Sequence, residues 1–241
     1  MLLTSSLIAM AITQVAIVAT TVYLHRSLSH RALRLSTPVE LCFRTILWLT
    51  TGIRRQEWVG IHRLHHAYTD VEGDPHSPVI EGYWKIQLLN VVYYRRAAKQ
   101  KEAIQRYTRD LPIDWLDRNV FSRSLVGLAI GIALLVFLFG PEMGALIALL
   151  HLCFYLSLSA AVNAVGHTFG KRPFENLATN NQWLALLTFG EGLHNNHHEL
   201  PTSAKLATKR SQIDPGWYLI AILRRLRLAK VRTLKRDWQP T

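Results

Sequence analysis

The sequence predicts an all-α integral membrane fold in a single domain, residues 1–241. About three transmembrane helices are joined by interfacial helices and capped on the cytoplasmic side by a histidine-rich helical layer. Three observations predict it. Residues 2–24 carry no charge, and a helix needs about 20 apolar residues to cross a bilayer. A second apolar region, Ser124 to Val162, is broken only by Gly140-Pro141-Glu142, which reads as a tight turn with proline opening the next helix. Nine of the eleven histidines fall in four groups, each at the edge of an apolar stretch.

Taken in order, residues 2–24 form the first span; they lack the basic flank and small-residue cleavage site of a signal peptide. Val39 to Ile53 contains Glu40 and Arg44 and is too short to span, which fits an interfacial or buried helix. The second and third spans cover about 123–139 and 142–163; the former is short and must recruit flanking residues or thin the bilayer. Trp183 to Leu193 is shorter still. Gly216 to Leu228 carries Leu219, Ile222, Leu223 and Leu226 at helical spacing, with Arg224, Arg225 and Arg227 largely outside that stripe, as in a helix lying on a membrane surface. The turn at 140–142 has no Lys or Arg, whereas Arg26, Arg31, Arg34, Lys171 and Arg172 flank the other span ends. The positive-inside rule then puts 25–122 and 164–241 in the cytoplasm, with every histidine group on that side.

Lys and Arg number 28 against 16 Asp and Glu, a formal charge of +12. No zinc-finger, basic-zipper or RNA-binding signature accompanies this excess, so nucleic acid is not the expected partner. Anionic lipid, a phosphate-bearing substrate or an acidic protein donor suits it better. The two cysteines, Cys42 and Cys153, lie in apolar segments and imply neither a disulfide framework nor a thiolate site.

The histidine groups are His25 and His30 in HRSLSH, His62, His65 and His66 in HRLHH, His167 in NAVGH, and His194, His197 and His198 in HNNHH. Imidazole is the commonest protein ligand for transition metals, and nine exceed what one ion accepts, so two metals are expected. On a helix, positions i, i+3 and i+4 share a face, which aligns His62 with His65 and His66, and His194 with His197 and His198. Asn163 and His167 converge in the same way. His25 and His30, five apart, fit one α-helical face poorly and converge if the first helix ends between them. His76, in GDPHSP, and His151, within the third span, lack clustered partners; orienting a ligand from behind or sitting in a turn suits the former and a packing or hydrogen-bonding role the latter. Ligand type alone admits iron, zinc, copper or nickel. A zinc hydrolase needs only three protein ligands, so nine imidazoles match oxygen chemistry by a redox metal better.

HRSLSH, HRLHHAYTDVEGDPHSP, NAVGH and GEGLHNNHH, in this order and spacing, resemble the membrane fatty-acid desaturases of the stearoyl-CoA desaturase type, over about residues 20–230. The HExxHK motif of the alkane-hydroxylase branch does not occur, and His194 stands where front-end desaturases usually have glutamine. The resemblance implies two irons, one held by His25, His30, His62, His66 and His197, the other by His65, His167, His194 and His198, with Asn163 completing it through a water. Glu57, Asp70, Asp74 and Glu191 are the candidates to orient these imidazoles by accepting a hydrogen bond from the ring nitrogen that faces away from the metal. Trp58 is a candidate for the wall of an acyl tunnel, and Arg95, Arg96 and Lys99 for the phosphates of CoA. Ala160 stands where the family often has tryptophan, which bears on tunnel shape.

The reaction implied is O2-dependent insertion of a cis double bond, most often at delta-9, into a saturated fatty acyl-CoA or other acyl-lipid. No haem-binding HPGG segment occurs, so a separate ferredoxin-like or cytochrome-like donor supplies the electrons. The short, three-span form resembles bacterial members, implying a bacterial inner membrane. A histidine-box hydroxylase or oxygenase using the same cage is the alternative within this chemistry. A non-enzymatic metal transporter fits less well, because its ligands would line a path through the bilayer.

Overall fold

The computed structural model describes residues 1–232 and is mostly helical. The last nine residues of the segment expected to be cytoplasmic, 233–241, lie outside the described residues. Helix α1 (Leu2–Ala19) runs without interruption into a π-helical segment, Thr20–Ser29. Small side chains on one face of α1 (Ala9, Thr13 and Ala16) are buried against α8 (Pro141–Ala164). Leu2–Ser29 and Pro141–Ala164, of 28 and 24 residues, are long and apolar enough to cross a membrane. Helix α7 (Ser124–Phe139) is apolar but has 16 residues, about 24 Å at 1.5 Å per residue.

Between these lie β1 (Leu33–Leu35), α2 (Thr37–Thr50), α3 (Arg55–Ala67), α4 (Pro78–Glu81), α5 (Tyr83–Ala98) and α6 (Lys101–Tyr107). The Val39–Ile53 segment packs inside the bundle as α2, against α1 and α7. Its approach to α7 is close: a Cβ on Gly131 would stand 2.2 Å from the Leu49 carbonyl oxygen. The α7–α8 turn is made by Gly140 at φ +79°, and Pro141 begins α8, as glycine and proline preferences dictate. His151 laces the bundle together. Its Nε2 lies 2.9 Å from the Thr50 carbonyl and its Nδ1 2.9 Å from the Thr13 hydroxyl. A carbonyl has no proton, so Nε2–H donates and Nδ1 accepts.

After α8 the chain forms α9 (Gln182–Leu187), α10 (His194–Glu199), α11 (Pro215–Arg225) and β2 (Ala229–Val231). Two expectations change. A two-stranded antiparallel ribbon, β1 with β2, joins residues nearly 200 positions apart and adds a small sheet to the expected all-α fold. The expected stripe on α11 is divided: Ile220, Leu219 and Leu223 face the core, while Ile222 and Leu226 are exposed. The first helical run ends at Ser29, between His25 and His30 as expected, but it does so in a π-turn.

Candidate metal centre

The wider π-turn settles how His25 and His30 meet. Its i→i+5 bonding, seen in the His30 N–H donated to the His25 carbonyl at 3.1 Å, puts residues five apart on one face. Their ring centroids are 4.8 Å apart. Helix α3 contributes His62 and His66 to the same cluster and turns His65 toward a second one. Arg63, between them, donates to the Leu28 and Ser29 carbonyls at 2.6 and 2.9 Å and so ties α3 to the π-segment. His167 lies in the turn after α8, where its N–H is donated to the Asn163 carbonyl.

Helix α10 has six residues, and two consecutive asparagines anchor it. Asn195 donates to the Phe174 and Ala178 carbonyls at 3.1 and 3.0 Å. Asn196 donates to the Leu206 carbonyl and to Gln212, both at 2.9 Å. The asparagines of HNNHH thus staple the helix to surrounding loops while its histidines face inward. Their amide chemistry is visible in sequence; their partners are not.

Two groups of nitrogens result. His25, His30, His62, His66 and His197 present ligand atoms all within 4.8 Å of one another, and so do His65, His167, His194 and His198. In the first group, His197 Nε2 lies 3.0 Å from His25 Nε2 and 2.9 Å from His66 Nε2. In the second, His198 Nε2 lies 3.1 Å from His194 Nε2 and 3.3 Å from His65 Nε2.

Three carboxylates face the backs of these rings. Glu191 Oε1 is 2.8 Å from His25 Nδ1, Asp74 Oδ2 is 2.9 Å from His65 Nδ1, and Asp70 Oδ2 is 2.7 Å from His167 Nδ1. Each accepts the Nδ1 proton, which leaves the Nε2 lone pair pointing inward. Neighbours hold the carboxylates in turn: Thr21 donates to Glu191, and Ser77 donates to Asp70 at 2.6 Å. Glu57 does not share this role; it pairs with Arg54 at 3.0 Å on the surface. Its place one residue before Trp58 gave no indication of which side of α3 it faces.

Burial sets the charge state. It is the first cause holding His30, His62, His65, His194, His197 and His198 well below the usual imidazole range, reinforced by neighbouring imidazoles. His66 is brought down to about 3 for the same reasons. Burial raises Glu191 and Asp70, but the histidine contacts, with Arg26 and Thr21 at Glu191 and with Ser77 and Arg172 at Asp70, outweigh it and hold both below the carboxylate norm. Neutral imidazoles with converging lone pairs repel one another unless a cation lies among them. His167 Nε2 is buried with no hydrogen-bond partner. The donor set therefore fits two metal ions.

A cavity opens beside both groups. His25, His62 and His194 line it, and so do Ile17, Leu158 and Val162. Trp58 joins the wall and stacks on His62 at 5.0 Å and 15°. Asn163 lines it too. The cavity is also polar along α5 and α8, where Asn90, Tyr94 and Ser159 face it, a feature the apolar patterning did not reveal. Arg95, Arg96 and Lys99 are exposed and do not line it; Arg96 covers the Tyr93 ring at 5.4 Å.

The family model for fatty acid desaturases matches residues 2–207. Among curated relatives, the Acyl-CoA C20 Delta5-desaturase of Anemone leveillei is 34% identical over 87% of this chain and 67% of its own length. The sn-2 palmitoyl-lipid 9-desaturase of Nostoc sp. (strain 36) is 34% identical over 86% of this chain and 73% of its own. The Hex-5-enoyl-acyl-carrier protein acetylenase of Moorena producens (strain JHB) is 31% identical over 88% and 72%. With the matched region running from α1 past the last histidine of α10, this chain belongs to the fatty acid desaturase family and is an oxidoreductase of fatty acyl chains.

Proposed function

We propose that the chain is an oxygen-dependent diiron desaturase that inserts a cis double bond, at delta-9, into a saturated fatty acyl chain. The observation that carries this reading is the pair of converging imidazole groups beside a cavity walled partly by Ile17, Leu158 and Val162. The five-histidine group would hold one iron and the four-histidine group the other, with Asn163 reaching the second through a water. When bound there, two irons supply the redox chemistry that couples removal of two hydrogens from adjacent methylenes to reduction of O2 to two waters. Two electrons and two protons complete the balance, the electrons arriving from a separate ferredoxin-like or cytochrome-like protein.

The residues themselves position the chain. Ile17, Leu158, Val162 and Trp58 offer apolar contact that excludes water and fixes one carbon pair near His62 and His194. Glu191, Asp74 and Asp70 keep three imidazoles oriented with Nε2 inward. The relatives' names include acyl-CoA, lipid-linked and carrier-protein-linked substrates. We assign acyl-CoA because exposed Arg95 and Arg96 follow Tyr94, which lines the cavity, and Lys99 ends the same helix. Replacing all three with alanine is expected to weaken acyl-CoA binding; unchanged affinity removes them from the site.

We further assign a multi-pass membrane topology with the metal groups on the cytoplasmic side, in a bacterial inner membrane. Exposed Leu3, Leu7, Leu125, Phe137, Leu149 and Leu152 on α1, α7 and α8 form apolar surface suited to lipid. The test is the lipid profile of a desaturase-deficient host expressing the chain, beside a His197→Ala control. New cis-monounsaturated chains that vanish in the control support desaturation. Products heavier by one oxygen would instead establish hydroxylation.

A further inference from the structure

His76 belongs to neither imidazole group, yet its setting is built. Its side chain is 7% exposed, and its Nε2 is buried without a hydrogen-bond partner. It lines the cavity together with Asn163 and His194. Its ring centroid lies 4.8 Å from that of His65. The backbone that presents it is fixed by the carboxylate that orients His65: Asp74 accepts the His76 N–H at 3.0 Å, the Asp70 N–H at 2.8 Å and His65 Nδ1 at 2.9 Å. The next residue, Ser77, caps α4 and donates to Asp70, the partner of His167. Residues 70–77 therefore brace two imidazoles of the four-histidine group and hold a third imidazole at the cavity face, whose ligand atom lies within 4.8 Å of those of His65 and Asp74.

A free buried nitrogen in so fixed a frame is costly unless something polar meets it. The four-histidine group has one imidazole fewer than its neighbour, so a metal in it retains a coordination position for an exchangeable ligand. We propose that His76 is a positioning residue for that ligand: its Nε2 hydrogen-bonds a small molecule or anion held by the second metal. This rests on the dimetal reading above. His76 is then not itself a metal ligand, and its loss affects exogenous ligand binding before metal content.

The full chain is purified in detergent, loaded with ferrous iron and oxidised; iron per chain is measured, and azide is titrated by its absorption band. His76→Phe is expected to keep two irons per chain, to bind azide about tenfold more weakly, and to shift the band. His76→Gln, whose amide reaches the place of Nε2, is expected to recover most of the affinity. Should His76→Phe not accumulate, His76→Asn, whose amide reaches only the place of Nδ1, carries the same expectations. Azide binding within twofold of the unmodified chain overturns the proposal, and so does loss of one iron, which would make His76 a ligand. Failure of the unmodified chain to hold two irons would instead sink the dimetal reading itself.

Discussion

Glu191 Oε1 lies 2.8 Å from His25 Nδ1, joining residues 166 positions apart in the chain. The carboxylate comes from the turn before α10 and the imidazole from the π-segment, so this contact holds the first and last histidine groups in register. Thr21, one turn before His25, donates to the same carboxylate.

Replacement of Glu191 therefore tests how far orientation governs metal retention. Glu191→Gln is expected to lower metal affinity about 10- to 100-fold, the usual effect of losing an outer-shell partner, measured by competition with a chelator. Glu57→Ala is the contrasting case. Its exposed pair with Arg54 contributes about 1 kcal/mol or less, and metal affinity should not change.

His62 and His65 sit one turn apart on α3 but belong to different groups. His62→Ala and His65→Ala are each expected to reduce metal content from two equivalents toward one, and the two single variants should differ in the spectrum of the metal that remains. Identical residual spectra would contradict two separate groups.

The buried Arg26–Asp214 pair is the main link between the π-segment and α11. Arg26 donates to both Asp214 oxygens at 3.0 and 2.9 Å and to the Ala204 and Phe189 carbonyls. Gly190 makes room for it, since a Cβ there would stand 2.5 Å from Arg26 Nη2. Removing one member leaves a buried charge uncompensated, at a cost of about 3–5 kcal/mol. Asp214→Ala should accordingly lower the thermal unfolding midpoint sharply, even with metal bound.

Metal-free protein should lose stability on mild acidification. Burial, with the charge of neighbouring histidines, brings His66 and His76 down to about 3, against about 6.5 in an unfolded chain. Between these values the unfolded state binds protons that the folded state refuses, so stability is fully present above pH of about 6.5 and falls as the pH drops toward 3. Each such histidine contributes a slope of up to about 1.4 kcal/mol per pH unit. Denaturant unfolding at pH 7 and pH 5 measures it; equal midpoints would contradict neutral buried imidazoles.

Leu158 and Trp58 both line the cavity. Leu158→Trp is expected to shift the products toward shorter chains or another bond position without altering metal content. Gas chromatography of methyl esters reads this directly, and an unchanged product profile would remove Leu158 from the acyl path.

Amino-acid order alone determined the features carried by local composition and spacing. Uncharged runs marked α1 and α8, Gly140-Pro141 marked the turn before α8, and the i, i+3, i+4 spacing within HRLHH and HNNHH marked which imidazoles share a face, because helical periodicity depends only on near neighbours. Tertiary structure decided the remainder. Glu191 rather than Glu57 faces a histidine because two distant segments meet there, and the nearer carboxylate has an arginine three residues away. The π-turn that unites His25 and His30 departs from the 3.6-residue period on which sequence reading relies. The strand ribbon, the division of the α11 face and the placement of His76 at the cavity likewise depend on contacts between residues far apart in the chain. No local pattern encodes such contacts, because their free energy is realised only when the packed elements bury them together.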